Sequence, residues 1–255
     1  MDLKSRLGVL GGGRLAESIA KTWTARTGQA PLIWSRGGPR DGRIPEATWV
    51  NRWTGTLEAQ SVVIAIPGRA LLDLAERNQQ ARQFRGNVFS AAASLAPASL
   101  KRVFPQATIV CIAPFLIDGV NSIPMVILRP SNLPDADWAT VKAELDHFGN
   151  CDTVDDEESF ARLSLLGASW PAVVRSAVEA AADAGSQGLR DEATTRLARR
   201  IFFRAMQSLL KEEEANEIAT PGGITERGLK SMGSANALFE SVFQQMQARA
   251  DELRT

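Results

Sequence analysis

The chain has no tyrosine and a single histidine, His147, among its 255 residues. An imidazole or a phenol beside the reacting oxygen is the usual proton carrier in alcohol and carbonyl chemistry, so this scarcity counts against dehydrogenases of that design. His147 stands near the end of a predicted helix, beside Phe148-Gly149, and reads as structural. Cysteine is scarce as well. Cys111 and Cys151 lack metal-ligand spacing and are too few for a disulfide framework, so both read as small buried hydrophobes in a reducing, cytoplasmic setting, and no metal is expected. Excess charge of either sign is missing: Lys+Arg and Asp+Glu number 29 each, and nothing in the balance points to nucleic acid or an anionic membrane. No run of about 18 apolar residues spans a bilayer, and Met1 to Arg6 shows no apolar signal stretch, so no membrane partner is expected.

The chain does have length enough for a real core, with 44% apolar residues. Up to about residue 155, short apolar runs alternate with amphipathic stretches, the pattern of a parallel sheet covered by helices. Strands are predicted at 7–10, 31–34, 61–66, 87–90, 108–113 and 124–128, and helices at 15–24, 70–82 and 135–148. After the acidic stretch Asp155-Asp156-Glu157-Glu158, alanine and leucine become frequent and strand-like alternation stops. A domain boundary is therefore expected there, giving domains at 1–156 and 157–255. In the second, Ile201, Phe202, Ala205, Met206, Leu209 and Leu210 fall on one helical face, and Val174, Ala177, Val178 and Ala181 on another. About 100 residues make only a small bundle, so such faces call for a partner, and a homodimer or higher homo-oligomer through this half is the natural completion.

The first forty residues carry the chemistry most open to reading. Leu7-Gly8-Val9-Leu10-Gly11-Gly12-Gly13-Arg14-Leu15-Ala16 is a strand, a G-x-G-x-x-A turn and the start of a helix, in the order a dinucleotide-binding unit requires. Gly11 permits the tight turn, Gly13 lets the backbone approach a pyrophosphate, and Ala16 leaves room for the helix to pack on the sheet. Gly12, Arg14 and Leu15 complete the phosphate-facing set, beneath the amides and positive dipole end of the helix. At the end of the second strand, where NAD-binding chains place an acid for the ribose hydroxyls, this chain reads Ser35-Arg36-Gly37-Gly38-Pro39-Arg40. A hydroxyl and two guanidinium groups suit a 2′-phosphate, so NADP(H) is expected in preference to NAD(H), which stays possible.

Near the other end, Ala219-Thr220-Pro221-Gly222-Gly223-Ile224-Thr225 combines a forced turn, amides at the start of a helix and a hydroxyl, a nest suited to a substrate carboxylate. This stretch resembles the S-P-G-G-T-T motif of the pyrroline-5-carboxylate reductase family. Val88-Phe89-Ser90-Ala91-Ala92-Ala93-Ser94 is similar to that family's S-x-A-A-G loop, and Ser164-Leu165-Leu166-Gly167-Ala168-Ser169-Trp170-Pro171-Ala172 to its S-G-S-G-P-A stretch. The resemblance runs along nearly the whole chain. It implies a Rossmann-like α/β dinucleotide-binding domain followed by an all-α helical dimerisation domain, with each active site taking its substrate turn from a partner chain.

It also implies NADPH-dependent reduction of a C=N bond in a cyclic imino acid, a small-molecule substrate. In that assignment Thr225 hydrogen-bonds the substrate nitrogen and Ser169 is a second catalytic candidate. Thr220 and the amides of Gly222 and Gly223 hold the carboxylate, while Ile66, Pro67, Ser90 and Ala92 lie along the cofactor. The sequence departs from the family at informative positions. Ala65-Ile66-Pro67-Gly68 replaces A-V-K-P, so a lysine is missing, and Ala113-Pro114-Phe115 replaces M-P-N, so an amide becomes a ring. Ala168 and Trp170 replace two glycines, Ile224 replaces a threonine and Arg14 an asparagine. Phe115 and Trp170 thus give a bulkier, more apolar substrate lining. Two alternatives follow: a specialised imine reductase for a different, bulkier intermediate, and a nucleotide-binding relative without turnover.

Overall fold

The computed structural model describes residues 7–39, 44–45, 47–75, 78–93, 95–115, 122–189, 191–209 and 235–254. Its backbone divides into two compact units, one of residues 1–168 with 248–255, the other of residues 169–247.

The first unit is built on one eight-stranded sheet. The strands are β1 (Leu7–Leu10), β2 (Leu32–Trp34), β3 (Thr48–Trp49), β4 (Ser61–Ile64), β5 (Asn87–Ser90), β6 (Thr108–Pro114), β7 (Met125–Leu128) and β8 (Cys151–Val154). Their spatial order is β3-β2-β1-β4-β5-β6-β7-β8, so the sequence runs outward in one direction from β1 to β3 and in the other from β4 onward. The reversal falls between β1 and β4, which pair in parallel with Val9 beside Val63.

Strand residues alternate between the two faces, and each face is covered. On one, helix α1 (Arg14–Thr27) lays Ala16, Ile19, Ala20 and Trp23 over Val9, Ile33 and Val63, joined by Val141 and Leu145 of α5 (Asp135–Leu145). Burying a side chain such as Ile19 fully is worth about 1.5–3 kcal/mol, which anchors α1 by its small and apolar stripe. Trp23 meets Phe148 (centroids 5.7 Å apart) and takes the edge of the exposed His147 ring at 5.6 Å, consistent with a structural histidine. The other face buries Leu71 of α2 (Gly68–Ala75), Ala81 of α3 (Gln80–Gln83), Leu100 and Val103 of α4 (Pro97–Val103) and Phe160 of α6 (Glu157–Ser164).

Four differences from the sequence reading have local causes. The helix expected over 70–82 is broken, because the Asn78 side chain accepts the Gln80 amide (2.9 Å) and opens a second, separate turn. The strand expected over 61–66 stops pairing at Ile64, ahead of Pro67, which has no N–H to give. The sheet is not wholly parallel: β7 runs antiparallel to β6, since Phe115 to Pro124 is too short for a crossover of a dozen or more residues. The acidic stretch at 155–158 is a helix start. Asp156 caps α6 by accepting the Ser159 amide at 2.7 Å, and that bond holds its carboxyl below the usual range.

The second unit is helical. A π-helical turn at Leu165–Ser169 leads out of the first unit into α7 (Trp170–Ser186), followed by α8 (Glu192–Leu209) and α9 (Ala235–Arg254). Trp170 sets its ring against the edges of Phe239 and Phe243 on α9, with centroids 5.9 and 5.3 Å apart. Large apolar side chains remain exposed here, Ile201 at 60% and Leu238 at 63%. No described helix is long and apolar enough to cross a membrane.

Candidate active site at the carboxyl edge of the sheet

The carboxyl ends of β1, β2, β4, β5 and β6 share one edge of the first unit, since all five run parallel. In open α/β sheets a crevice opens at this edge, where the strand order reverses. Here that point is β1/β4, and it holds the glycine turn.

The turn is fastened on both sides. Gly11 donates its amide to the Trp34 carbonyl at 2.8 Å, and Ala65 donates to the Leu10 carbonyl at 2.8 Å, so the turn is tied to the ends of β2 and β4 at once. Gly11 has φ +139° and its Cα faces the β4 exit, where a Cβ would lie 2.5 Å from the Ala65 oxygen. Gly12 is pressed against the next turn: its Cβ would be 2.9 Å from that of Ser35. Gly13 is the opposite case, with nothing within 4 Å of the position a Cβ would take. It caps α1 without any side-chain hydrogen bond, and the helical ladder starts only with Glu17 donating to the Gly13 carbonyl at 3.0 Å. The amides of Leu15 and Ala16 therefore precede the ladder, at the positive end of the helix dipole, beside open space. Glu17, the acid of this first turn, pairs with Lys21 at 2.8 Å, and Arg14 is exposed beside the cap. Free backbone amides beside open space at a helix start are the donor chemistry that suits a diphosphate.

Ser35 and Arg36 lie on a tight turn against Gly12. Gly38, at φ +69°, donates its amide to the Ser35 carbonyl (3.0 Å) while the Ser35 hydroxyl donates to the Gly38 carbonyl (2.8 Å). The turn leaves Arg36 exposed at its tip, one residue from the glycine cradle's neighbour. Arg40 lies outside the described residues.

Further along the edge, Ile66 is half-buried and Pro67 exposed, and the Pro67 carbonyl accepts the Leu71 amide (3.2 Å) to open α2. Ser90 is buried at the end of β5, its hydroxyl accepting the Ala92 amide at 3.3 Å, so its oxygen shapes the loop carrying Ala92. Phe115 follows β6 and rests on Gly167 of the π-helical turn so closely that a Cβ there would overlap three ring carbons. Single π turns interrupt helices frequently at functional sites, and here the interruption carries the glycine on which the Phe115 ring rests.

The first unit thus gathers Gly11, Gly12, Gly13, Arg14, Leu15, Ser35, Arg36, Ile66, Pro67, Ser90, Ala92 and Phe115 on one edge. Ser169 and Trp170 belong to the second unit, where Ser169 is exposed at the start of α7 and Trp170 has Phe239 and Phe243 as its aromatic neighbours. Thr220, Gly222, Gly223 and Thr225 lie outside the described residues. Sequence reading did not find the Phe115–Gly167 contact, which joins residues far apart in the chain and leaves no local pattern. Among the described residues, no group of three or more His, Cys, Asp or Glu is placed to hold a metal ion.

Fold and crevice together define a two-unit architecture with a dinucleotide-binding sheet followed by a helical unit. Residues 157–253 match the family model for pyrroline-5-carboxylate reductase dimerisation. Solved structures agree in fold. A pyrroline-5-carboxylate reductase from Coxiella burnetii superposes with a TM-score of 0.76 at 20% identity, over 99% of each chain. The Plasmodium falciparum pyrroline carboxylate reductase, solved with NADP bound, gives 0.80 at 14% identity over 98% of each chain. An imine reductase variant from Myxococcus stipitatus, in complex with NAD+, gives 0.55 at 17% identity, over 98% of this chain and 93% of the other. No curated protein sequence matches.

Proposed function

We propose that this chain is an NADPH-dependent reductase of a C=N bond in a cyclic imino acid, working as a homodimer in the cytoplasm. The observation that carries the reading is the open space at Gly13, at the sheet's reversal point, in a chain whose residues 157–253 match the pyrroline-5-carboxylate reductase dimerisation model. Gly11 to Leu15 hold the diphosphate, Ser35 and Arg36 receive the 2′-phosphate, and Ile66, Pro67, Ser90 and Ala92 line the way to the reacting end. When bound, the cofactor supplies a hydride to the imine carbon. The protein's own task is mainly to orient the reactants and exclude water, because a protonated imine is already electrophilic; orientation alone lowers a barrier by several kcal/mol. The near absence of histidine and tyrosine is compatible with that division of labour. Thr225 is assigned the hydrogen bond to the substrate nitrogen, with Ser169 as a weaker candidate, and Thr220, Gly222 and Gly223 hold the carboxylate.

Phe115 favours a second, narrower reading. An aromatic ring seated on Gly167 makes that wall of the crevice apolar, which suits an imine larger and less polar than a small imino acid. NADPH consumption by the purified protein with a panel of cyclic imines tests both. Turnover on pyrroline-5-carboxylate supports the first reading, and turnover only on bulkier imines supports the second. Tight NADPH binding with no turnover on any of them would overturn both in favour of a binding protein.

The cofactor preference has its own test. Arg36→Ala should weaken NADPH about tenfold or more, the loss of a charge-assisted contact, while changing NADH little. Equal losses for the two dinucleotides would remove Arg36 from the 2′-phosphate site.

A further inference from the structure

On the sheet face covered by α4 and α6, the two helices leave a cavity of about 570 Å³, within the size range of small-molecule sites. It lies at the end of the sheet opposite the crevice. Its walls include Thr108, where β6 begins, Leu128, where β7 ends, and Asp155, the residue after β8, whereas the crevice opens where β6 finishes. β6 runs for seven residues, so about 20 Å of strand separates the two places. A molecule seated here leaves the crevice free for its own ligands.

The lining has three parts of different chemistry. Ile109, Cys111 and Leu128 of the sheet, with Pro97 and Ala98 of α4, make an apolar part. The α4 side carries a cation. Lys101 donates from Nζ to the Ala107 carbonyl at 2.8 Å, and both residues line the cavity, so the ammonium is held at its rim with N–H groups to spare. The α6 side carries anions: Asp155 and Glu157 are exposed, and among the described residues no ion pair reaches either. Asp156, between them, is spent on the Ser159 amide. Arg129, the remaining charge of the lining, is answered outside it, since its guanidinium pairs with Asp135 and stands 5.9 Å over the Trp138 ring.

Opposite charges on two sides of an apolar surface select a molecule that carries both. A lone carboxylate meets Lys101 but also two carboxylates, and a lone amine meets the ammonium it should avoid. We propose that this cavity binds a small zwitterion with an apolar body, an amino acid, with its carboxylate on Lys101, its ammonium on Asp155 and Glu157, and its side chain over Ile109, Cys111 and Leu128. The site stands whether or not the crevice reduces an imine.

Titration of the full chain with L-leucine and L-phenylalanine, followed by ligand-observed NMR, tests it. Each probe is run beside two analogues of the same skeleton, one lacking the amine and one lacking the carboxylate. At least one amino acid should bind, with a dissociation constant on the order of millimolar, and its analogues at least about tenfold more weakly. Lys101→Met and the double variant D155N/E157Q should each weaken that amino acid about fivefold, the upper end for partly exposed charges, with melting temperatures within a few degrees of the wild type. Neither amino acid binding, or a singly charged analogue binding as tightly as its parent, would overturn the proposal, and both results are read on the wild type alone. Wild-type affinity in both variants would put the amino acid elsewhere and overturn the site.

Discussion

Gly13→Ala should leave the fold nearly untouched and still weaken dinucleotide binding by tenfold or more. At φ −87° and ψ −174°, Gly13 occupies backbone space open to any residue, and an added Cβ touches nothing. Two small effects oppose each other. Alanine caps a helix less well than glycine, by up to about 1 kcal/mol, and restricting the unfolded chain returns about 0.4–1 kcal/mol. The melting temperature should thus move by no more than a few degrees. The new methyl would project into the space assigned to the diphosphate and separate it from the amides of Leu15 and Ala16. Each charge-assisted hydrogen bond lost there costs about 1.5–3 kcal/mol.

Gly11→Ala is the control that behaves differently. Its φ of +139° is strained for an L residue, and its Cβ would sit 2.5 Å from the Ala65 oxygen. Stability should fall by about 1–3 kcal/mol together with affinity, because the turn must move away from β4. Thermal melts beside NADPH titrations separate the two outcomes. If Gly13→Ala binds NADPH as the wild type does, the turn is not the phosphate cradle.

The second large effect is expected at Gly167. A methyl there would overlap the Phe115 ring, so Gly167→Ala should destabilise the first unit by about 1–3 kcal/mol, the usual cost of overpacking. The loss is expected to disappear when Phe115 is shortened. Phe115→Ala with Gly167→Ala should show a coupling of about 1–2 kcal/mol in a denaturation cycle. The same pair bears on substrate choice. Phe115→Asn should raise kcat/KM for pyrroline-5-carboxylate relative to larger imines, and an unchanged ratio would take Phe115 out of the substrate wall. Additive stabilities would instead mean that the ring does not rest on Gly167 in solution.

Much of the first unit was legible because its signals are local. Leu7 to Leu10, Asn87 to Ser90 and Thr108 to Ala113 are apolar runs of the length a buried strand needs, and α1 announces itself by its small-residue stripe after three glycines. Elements whose definition depends on neighbours were not legible. β3 has only Thr48 and Trp49 and exists by pairing with Leu32 and Ile33, and β8, with exposed Asp152 and Thr153, has no apolar run. α4 did carry a signal, Pro97 at the first helical position and Leu100 and Val103 three apart, but its seven residues are too few for a sustained helical period. The crevice residues were readable as motifs, but not their division of labour. That Ser90 spends its oxygen on the Ala92 amide, that Ser35 closes a turn and that Trp170 has aromatic neighbours on α9 are facts of packing, invisible in a one-dimensional pattern.

The antiparallel strand β7 has a consequence for how the chain is routed. β8 runs with β7, so it ends with Val154 beside Leu128, toward the edge of the sheet away from the crevice. α6 then has to travel the other way, and eleven residues later Gly167 arrives under Phe115, at the crevice edge. Had β7 been parallel, the same helix would have carried the chain away from that edge. A single reversal of direction thus acts as a parity switch that decides at which edge of the sheet the chain leaves the first unit.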